Sequence, residues 1–565
     1  MTQQGSSNVL PWIEHYQEGV PEQIALPPES VPQMIARAVE KFADRPALEF
    51  FGRRFSYREF GDAISRAAQA LLELGVKPGQ RVAMVLPNCP QAAIAFHAIQ
   101  RIGAVVVQHN PLYTARELRT IFSDHEAVVA IVWTKCVEKI QQMPADIAPK
   151  AIISVDITKA MPLTTQFKLA LPVKKARAAR DNLTTSVHGT TTWESFMRGP
   201  RLSEDHPMPA PEDIAVIQYT SGTTGEPKGA MLSHRNLYAN ALQGRAIMPD
   251  VQDGKEVSYA ILPVFHAFGM TLFLTYAFHS GMMVVLFPKF EVSLVFEALK
   301  KSPPTMICAA PPIYERIAIM AKREKVDLST VRFAISGAMT LPNSVVELWE
   351  SVTSGRLVEG YGMTESSPIT FCNPLTEQRR VGTIGIPVPS TLVKVVDVED
   401  STKEVPVGEP GELMVHGPQV FHGYWNKPDE TSAVLSADGW LRTGDVVTLD
   451  KDGFCTIVDR KKDIIITGGF NVSPTEVEHV LNLHDDVVES GIVGLPTKSG
   501  NDQIVAAVVM KEGAELQPAA LRRYLKERLA VYKVPVKFVE VPALPKNVLG
   551  KLLRKDIVKL LGGDR

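Results

Sequence analysis

The sequence has no surplus of either charge. With 60 Lys and Arg against 62 Asp and Glu, no long-range field draws nucleic acid to the chain as a whole, and nucleic acid is not an expected partner. Cysteine is scarce: Cys89, Cys136, Cys308, Cys372 and Cys455 are odd in number, far apart and never in a CxxC pair, which excludes a disulfide framework and a cysteine zinc site and fits a reducing cytosol. The opening residues, MTQQGSSNVLPWIEHY, lack the basic and then apolar regions of a secretory signal, so the expected location is cytoplasmic. One stretch lacks charge altogether. Residues 257 to 288 contain no Asp, Glu, Lys or Arg and are long enough to span a bilayer. Pro263, His266, Gly269, His279, Ser280 and Gly281 nevertheless divide them into a short strand, a helix of about three turns and a second strand. That is the reading expected of a buried βαβ unit, whose parallel strands are apolar on both faces.

What is present is the composition of a large globular protein. At 565 residues and ~150 residues per domain, about four folding units are expected. Residues 31 to 42 carry Val31, Met34, Ile35, Ala38, Val39 and Phe42 at helical spacing, and PALEFF at 46 to 51 reads as a strand. The alternation continues. Ser56 with Glu59 opens a helix ending near Gly75, VAMVLP is a strand, a helix starts at Pro90, and AVVV at 104 to 107 is a strand. Thr114 with Glu117 starts another helix before the strand AVVAIVW at 127 to 133. Strands alternating with helices predict a parallel α/β sheet with right-handed crossovers.

From about 382 to 459 the texture changes to short strands between Gly and Pro, with a hairpin expected at Asp452 and Gly453. After DRKKD at 459 to 463, Ser473, Pro474 and Glu476 cap a helix, and the remainder mixes strands and helices. The expected architecture is α/β: a large N-terminal domain, 1–461, of parallel α/β sheets plus a small β subdomain, then a small mobile α+β domain, 462–565.

The strongest chemical signal is YTSGTTGEPKGA at 219 to 230, directly after the apolar DIAVIQ. It lacks Walker A spacing. Gly222, Gly225 and Gly229 allow backbone NH groups to approach a phosphate, Thr220, Ser221, Thr223 and Thr224 add hydroxyl donors, and Lys228 adds charge. Further motifs follow in order: NPLYTARELR at 110 to 119, LPVFHAFG at 262 to 269, SGAM at 336 to 339, EGYGMTES at 359 to 366, GWLRTGD at 439 to 445, DRKKDIIITGGFNVSPTEVE at 459 to 478, and PKNVLGK at 545 to 551. By these motifs the chain resembles the adenylate-forming superfamily of acyl-CoA synthetases, and most closely its bacterial long-chain fatty acid CoA ligases. The least family-like stretch is roughly 135 to 210.

The resemblance implies that a fatty acid, long-chain or medium-chain, is activated by ATP as an acyl-adenylate and passed to coenzyme A, with Mg²⁺ required. It implies that Thr364 donates to the α-phosphate, Glu365 holds Mg²⁺, and Gly337, Ala338, Glu359, Gly360 and Tyr361 surround adenine. Asp445 and Arg460 are implied for the ribose, roles suited to a carboxylate acceptor and a multidentate donor. His266 is implied beside the acyl carboxylate, without a general-base role. Lys551 is implied to bridge carboxylate and α-phosphate. Gly468, Gly469 and Phe470 are implied to face coenzyme A after the small domain rotates about Lys462. The alternatives are an acyl-AMP ligase that loads a carrier protein, whose extra inserted segment is not evident between 382 and 411, and a non-catalytic lipid-binding protein, which needs no intact phosphate loop.

Residues 157 to 180 carry Lys159, Lys168, Lys174, Lys175, Arg177 and Arg180 with no acidic residue. A solvated helix or disordered insertion is one reading, and peripheral contact with the inner face of an anionic membrane is the other. Pocket depth and oligomeric state are not legible in the sequence; a homodimer is compatible with it.

Overall fold

Side chains set the starts of the first helices. Ser56 Oγ accepts from the Glu59 NH at 3.1 Å while the Glu59 carboxylate accepts from the Ser56 NH at 2.7 Å, and Thr114 with Glu117 repeats the arrangement. Each such cap contributes about 1 kcal/mol. The computed structural model describes the chain except for residues 1–9, 221–226, 461–462, 464, 468–469, 497–501, 530, 548–549 and 563–565. The expected alternation forms: helices Val31–Lys41, Tyr57–Glu73, Pro90–Arg101 and Ala115–His125 are interleaved with strands Pro46–Phe50, Arg81–Val85, Val105–Gln108 and Val129–Trp133.

These strands divide between two large sheets. One runs, edge to edge, Thr191–Thr192, Ala151–Val155, Val129–Trp133, Arg81–Val85, Val105–Gln108, Ile214–Thr220 and Lys228–Ser233. The other runs Ile386–Pro387, Ile369–Cys372, Arg356–Gly362, Phe333–Ser336, Met306–Ala309, Val257–Ala260, Met283–Leu286, Pro46–Phe50 and Arg53–Ser56. Their interiors are parallel, as expected, but edge strands are not: Lys228–Ser233, Arg53–Ser56, Ile369–Cys372 and Ile386–Pro387 pair antiparallel. For the first three the reason is connection length. A short link can only return a strand antiparallel, whereas a parallel neighbour needs a crossover of a dozen residues or more.

The uncharged stretch folds inside the second sheet. Val257–Ala260 and Met283–Leu286 are adjacent parallel strands, joined through a helical run from Ala267 to His279 whose middle, Met270–Tyr276, is π-wound and fully buried. No described helix is long and apolar enough to cross a membrane.

The expected β subdomain is the antiparallel sheet Leu392–Val396, Gly411–His416, Leu441–Leu449 and Cys455–Arg460. Its last hairpin turns at Gly453, with φ of +86°. Beyond it, strands Val487–Pro496, Asp502–Met510 and Lys537–Glu540 and helices Pro474–Leu481, Pro518–Lys526 and Arg554–Leu560 enclose a separate core containing Ile465, Val477, Ile492, Ile504, Leu521 and Phe538. Asp459 ties the two units: its Oδ2 accepts from Ser473 Oγ at 2.6 Å and from the Thr475 NH at 3.2 Å. The expected boundary at Lys462 lies outside the described residues.

Candidate active site

The phosphate-loop motif is the connection of a β-hairpin. The strand Ile214–Thr220 leaves the sheet and returns as Lys228–Ser233; Ser221, Gly222, Thr223, Thr224 and Gly225 lie outside the described residues, but both ends are placed. Thr220 Oγ1 donates to the Lys228 carbonyl at 3.4 Å. The Lys228 side chain is only 15% exposed, is paired with Glu430 and stands 5.3 Å from the Tyr424 ring centroid. Its ammonium holds the Glu430 carboxyl below the usual range.

A segment that carried no sequence signal organises this corner. Residues 421 to 425 lie along the returning strand, with the Trp425 NH donating to Gly229 O at 2.7 Å and the Met231 NH to Gly423 O at 2.9 Å. The same segment grips the turn Thr364–Ser366: the Phe421 NH donates to Glu365 O at 2.9 Å, and Tyr424 Oη donates to Glu365 Oε1 at 2.7 Å. Tyr424 therefore joins Lys228 to the buried Glu365. Neither Tyr424 nor Glu430 could be picked from FHGYWNKPDET, because an aromatic and an acid in a loop are ordinary until the neighbouring strand is known.

The residues expected at adenine and ribose also converge. Ser336 and Glu359 are partners on adjacent parallel strands, so Gly337 and Ala338 emerge beside Gly360 and Tyr361. A Cβ on Gly337 would stand 2.8 Å from the Phe268 ring and 3.4 Å from Gly360 O, so a larger residue there would force the ring away. Tyr361 Oη donates to Asp445 Oδ2 at 2.5 Å. Asp445 lies directly opposite Arg460 on the neighbouring antiparallel strand; the Arg460 side chain lies outside the described residues.

Glu359 is buried, and its carboxylate accepts from the Leu341 NH at 3.1 Å. Burial pushes its pKa up to about 7, against the lowering effect of that hydrogen bond. An unfolded Glu titrates near ~4.3, so the folded protein binds this proton more tightly. The associated stability is fully present below the unfolded value and is lost as pH rises through about 7. Glu359→Gln removes a cost on the order of 3 kcal/mol at alkaline pH. Melting temperatures should show the variant gaining on the parent from pH 5 to pH 8; parallel curves would refute the buried titration.

His266 begins the charge-free helix, its Nδ1 accepting from the Phe268 NH at 3.4 Å. Burial lowers its pKa to about 4, so at neutral pH the imidazole is uncharged and offers Nε2–H as donor. Its loop is held by the buried Asn88, which donates to Ala260 O and Leu262 O and accepts from the Val264 NH, each at 2.8 Å. Gln218, at the end of the phosphate-loop strand, donates to Phe265 O at 2.9 Å. Beyond Phe268 opens an apolar cleft, lined among others by Gly244, Met248, Leu272, Tyr276 and Ile335. Asn240 fixes its rim by donating to Ile369 O at 2.8 Å and accepting from the Ile369 NH at 3.0 Å.

From the small domain, the Lys551 turn reaches this centre. The Lys551 NH donates to Asn547 Oδ1 and the Asn547 NH to Lys551 O, both at 2.9 Å. A Cβ on the adjacent Gly550 would stand 3.5 Å from Met339 Sδ and 3.8 Å from Pro312 Cγ, so the turn sits against the loop bearing Gly337 and Ala338. Phe470 opens the strand Phe470–Val472; its side chain, Gly468, Gly469 and the hinge residue Lys462 lie outside the described residues.

Comparison with known proteins finds relatives over nearly the whole chain. Residues 35–425 match the AMP-binding enzyme family and residues 476–551 match the AMP-binding enzyme C-terminal domain. The chain is 36% identical over 557 residues to a long-chain-fatty-acid--CoA ligase of Bacillus subtilis, covering 97% of this chain and 98% of that protein. It is 34% identical to the enzyme of the same name from Haemophilus influenzae, over 96% and 97% of the two chains. Among solved structures, an anthranilate CoA ligase in complex with anthranoyl-AMP superposes with a TM-score of 0.80 at 25% identity, over 95% of this chain and 98% of that one. The hairpin strands Ile214–Thr220 and Lys228–Ser233, the Thr364–Glu365 turn, the Tyr361–Asp445 pair and the C-terminal lysine turn thus lie in a chain that belongs to the family of AMP-binding enzymes.

Proposed function

We propose that the protein is a fatty acid CoA ligase acting on long-chain or medium-chain acids. The observation that carries this reading is Phe268, which touches the space above Gly337 on one side and lines the apolar cleft on the other. An acyl chain in the cleft has its carboxylate delivered to the nucleotide loops, and the lining is mostly apolar, as a hydrocarbon chain requires. The names carried by the relatives in Bacillus and Haemophilus support the same substrate class.

In the first half-reaction a carboxylate oxygen attacks the α-phosphorus of ATP, the bond to the bridging oxygen breaks, and pyrophosphate leaves with the electron pair. Lys228 and the loop 220 to 225 hold the leaving phosphates, Thr364 donates to the α-phosphate, and Lys551 offsets charge between carboxylate and phosphate. Gly337, Ala338, Glu359, Gly360 and Tyr361 surround adenine, while Asp445 and Arg460 hold the ribose. In the second half-reaction the thiol of coenzyme A, having lost its proton to solvent, attacks the acyl carbonyl and AMP departs. The small domain, beginning at 462, turns about Lys462 so that Gly468, Gly469 and Phe470 replace Lys551. His266, neutral and donating, sits beside the acyl carbonyl.

Mg²⁺ fits Glu365. The carboxylate is buried with one oxygen engaged by Tyr424, no described cluster of three His, Cys, Asp or Glu could hold a metal unaided, and this cation is typically held by one or two carboxylates plus substrate phosphates. When bound it supplies positive charge against the triphosphate.

The test is pyrophosphate and thioester formation across straight-chain acids of graded length and one aromatic acid, for the parent and Gly244→Leu. Gly244 lines the cleft, and a Cβ there would point at the Tyr276 ring 3.5 Å away. The variant should lose long acids relative to short ones by about tenfold or more in kcat/KM. Pyrophosphate release without thioester would indicate a carrier-loading enzyme instead, and a length profile untouched by Gly244→Leu would remove the acyl chain from this cleft.

A further inference from the structure

Residues 163 to 183 fold into a helical hairpin that the catalytic reading does not use. Leu163–Ala170 and Lys174–Leu183 are two short helices separated at Pro172, and neither contains a buried residue. The large apolar side chains are turned outward: Leu163 is 80% exposed, Phe167 70%, Val173 52% and Leu171 39%. Leu163 and Phe167, four apart, share one helix face, and a cluster of this kind on a surface marks an interaction site.

The hairpin is nevertheless anchored. Gln166 Nε2 donates to Met161 O at 2.9 Å, Trp133 Nε1 donates to Leu183 O at 2.7 Å, and Lys135 Nζ donates to Asp181 O. The charge around the apolar residues is positive apart from Asp181, the one carboxylate from 163 to 183. Lys159, Lys168, Lys174, Lys175, Arg177 and Arg180 flank them with no carboxylate from 157 to 180, and within this group the ion pair among the described residues is Arg180 with Asp181 at 3.8 Å. A partner must therefore be anionic at its surface and apolar beneath it. A polyanion meets only the first demand and a neutral apolar protein face only the second.

We infer that the hairpin 163–183 docks the protein on an anionic lipid bilayer, with Leu163, Phe167, Leu171 and Val173 in the interface and the lysines and arginines on the headgroups. Its place in the fold permits this during turnover. The hairpin connects Ala151–Val155 to Thr191–Thr192 at one edge of the seven-stranded sheet, whereas the phosphate-loop hairpin forms the opposite edge. A bilayer held at the first edge leaves the second open to ATP, and fatty acid dissolves in that bilayer.

The experiment uses the full chain and vesicles of phosphatidylcholine, alone or with about one-third phosphatidylglycerol. The parent should sediment with the anionic vesicles only, less so as salt shortens the screening length below ~8 Å. Replacing Lys174, Lys175, Arg177 and Arg180 by Gln should weaken binding by about tenfold or more; replacing Leu163 and Phe167 by Ser should do the same. Phe167→Trp should report insertion by a blue shift relative to the parent with anionic vesicles and none with heparin. Circular dichroism and turnover of a short, water-soluble acid should stay unchanged throughout. Equal binding to neutral vesicles, absence of binding, or heparin competition without a Phe167→Trp shift would each overturn the proposal.

Discussion

Replacing Lys551 by alanine is expected to lower acyl-adenylate formation by about 10²-fold or more, the scale of one lost preorganised charge, while chemically supplied acyl-AMP is still converted to acyl-CoA within a few-fold. The asymmetry follows from where the lysine sits. It is carried on a turn of the small domain, closed by the reciprocal hydrogen bonds with Asn547, and the neighbouring Gly550 rests against Met339 beside the nucleotide loop. Under the proposed function, the turn in this orientation serves the half-reaction that joins carboxylate to phosphate. On the proposed alternation, the small domain turns to admit the thiol, the lysine is carried away and its loss no longer matters. The measurement is both half-reactions separately, with circular dichroism to confirm folding. Equal loss in both would mean a single composite site and no alternation of domains.

Lys228→Ala should weaken use of ATP by about 10²-fold or more while leaving fatty acid binding intact. Because Lys228 is paired with Glu430, a second substitution separates its two partners. Glu430→Gln removes the competing carboxylate but keeps the lysine, so it should retain kcat within a few-fold and shift chiefly the KM for ATP. If the pair were only a structural tie, the two variants would behave alike, with similar losses of thermal stability and no selective effect on ATP. ATP-dependent pyrophosphate release and melting curves for both variants decide between these outcomes. A Lys228→Ala enzyme with unaltered ATP kinetics would remove the phosphate role.

Much of the fold was legible because its signals are local. Ser56 with Glu59 and Thr114 with Glu117 mark helix starts through their own backbone. The charge-free run from 257 to 288 was resolved by its Pro, Gly and His interruptions into strand, helix and strand. What local signals could not show was pairing at the sheet edges, since whether a strand returns antiparallel depends on a turn and on a neighbour distant in sequence. The amides of the helix His234–Ala246 make the same point. Asn236, Asn240 and Gln243 share one helix face and all are buried, clamping backbone of 369, 389, 418 and 420 from outside the helix.

The sequence by itself determined the chemistry available to the protein: a Gly, Ser and Thr loop ending in Lys228, a Thr364–Glu365 pair, Asp445, and a C-terminal Lys551, in an order that resembles adenylate-forming enzymes. Residue type and short spacing are enough for the loop, because phosphate binding depends on which groups it carries; the roles of Thr364, Glu365, Asp445 and Lys551 are implied by the resemblance. Tertiary structure alone decided which of these groups meet, and through what. Tyr424 couples Lys228 to Glu365, Phe268 joins the nucleotide loops to the apolar cleft, and Asn88 holds the His266 loop from the neighbouring sheet. Each of these contacts spans tens to hundreds of residues and is set by sheet order and packing, so no window of sequence contains it.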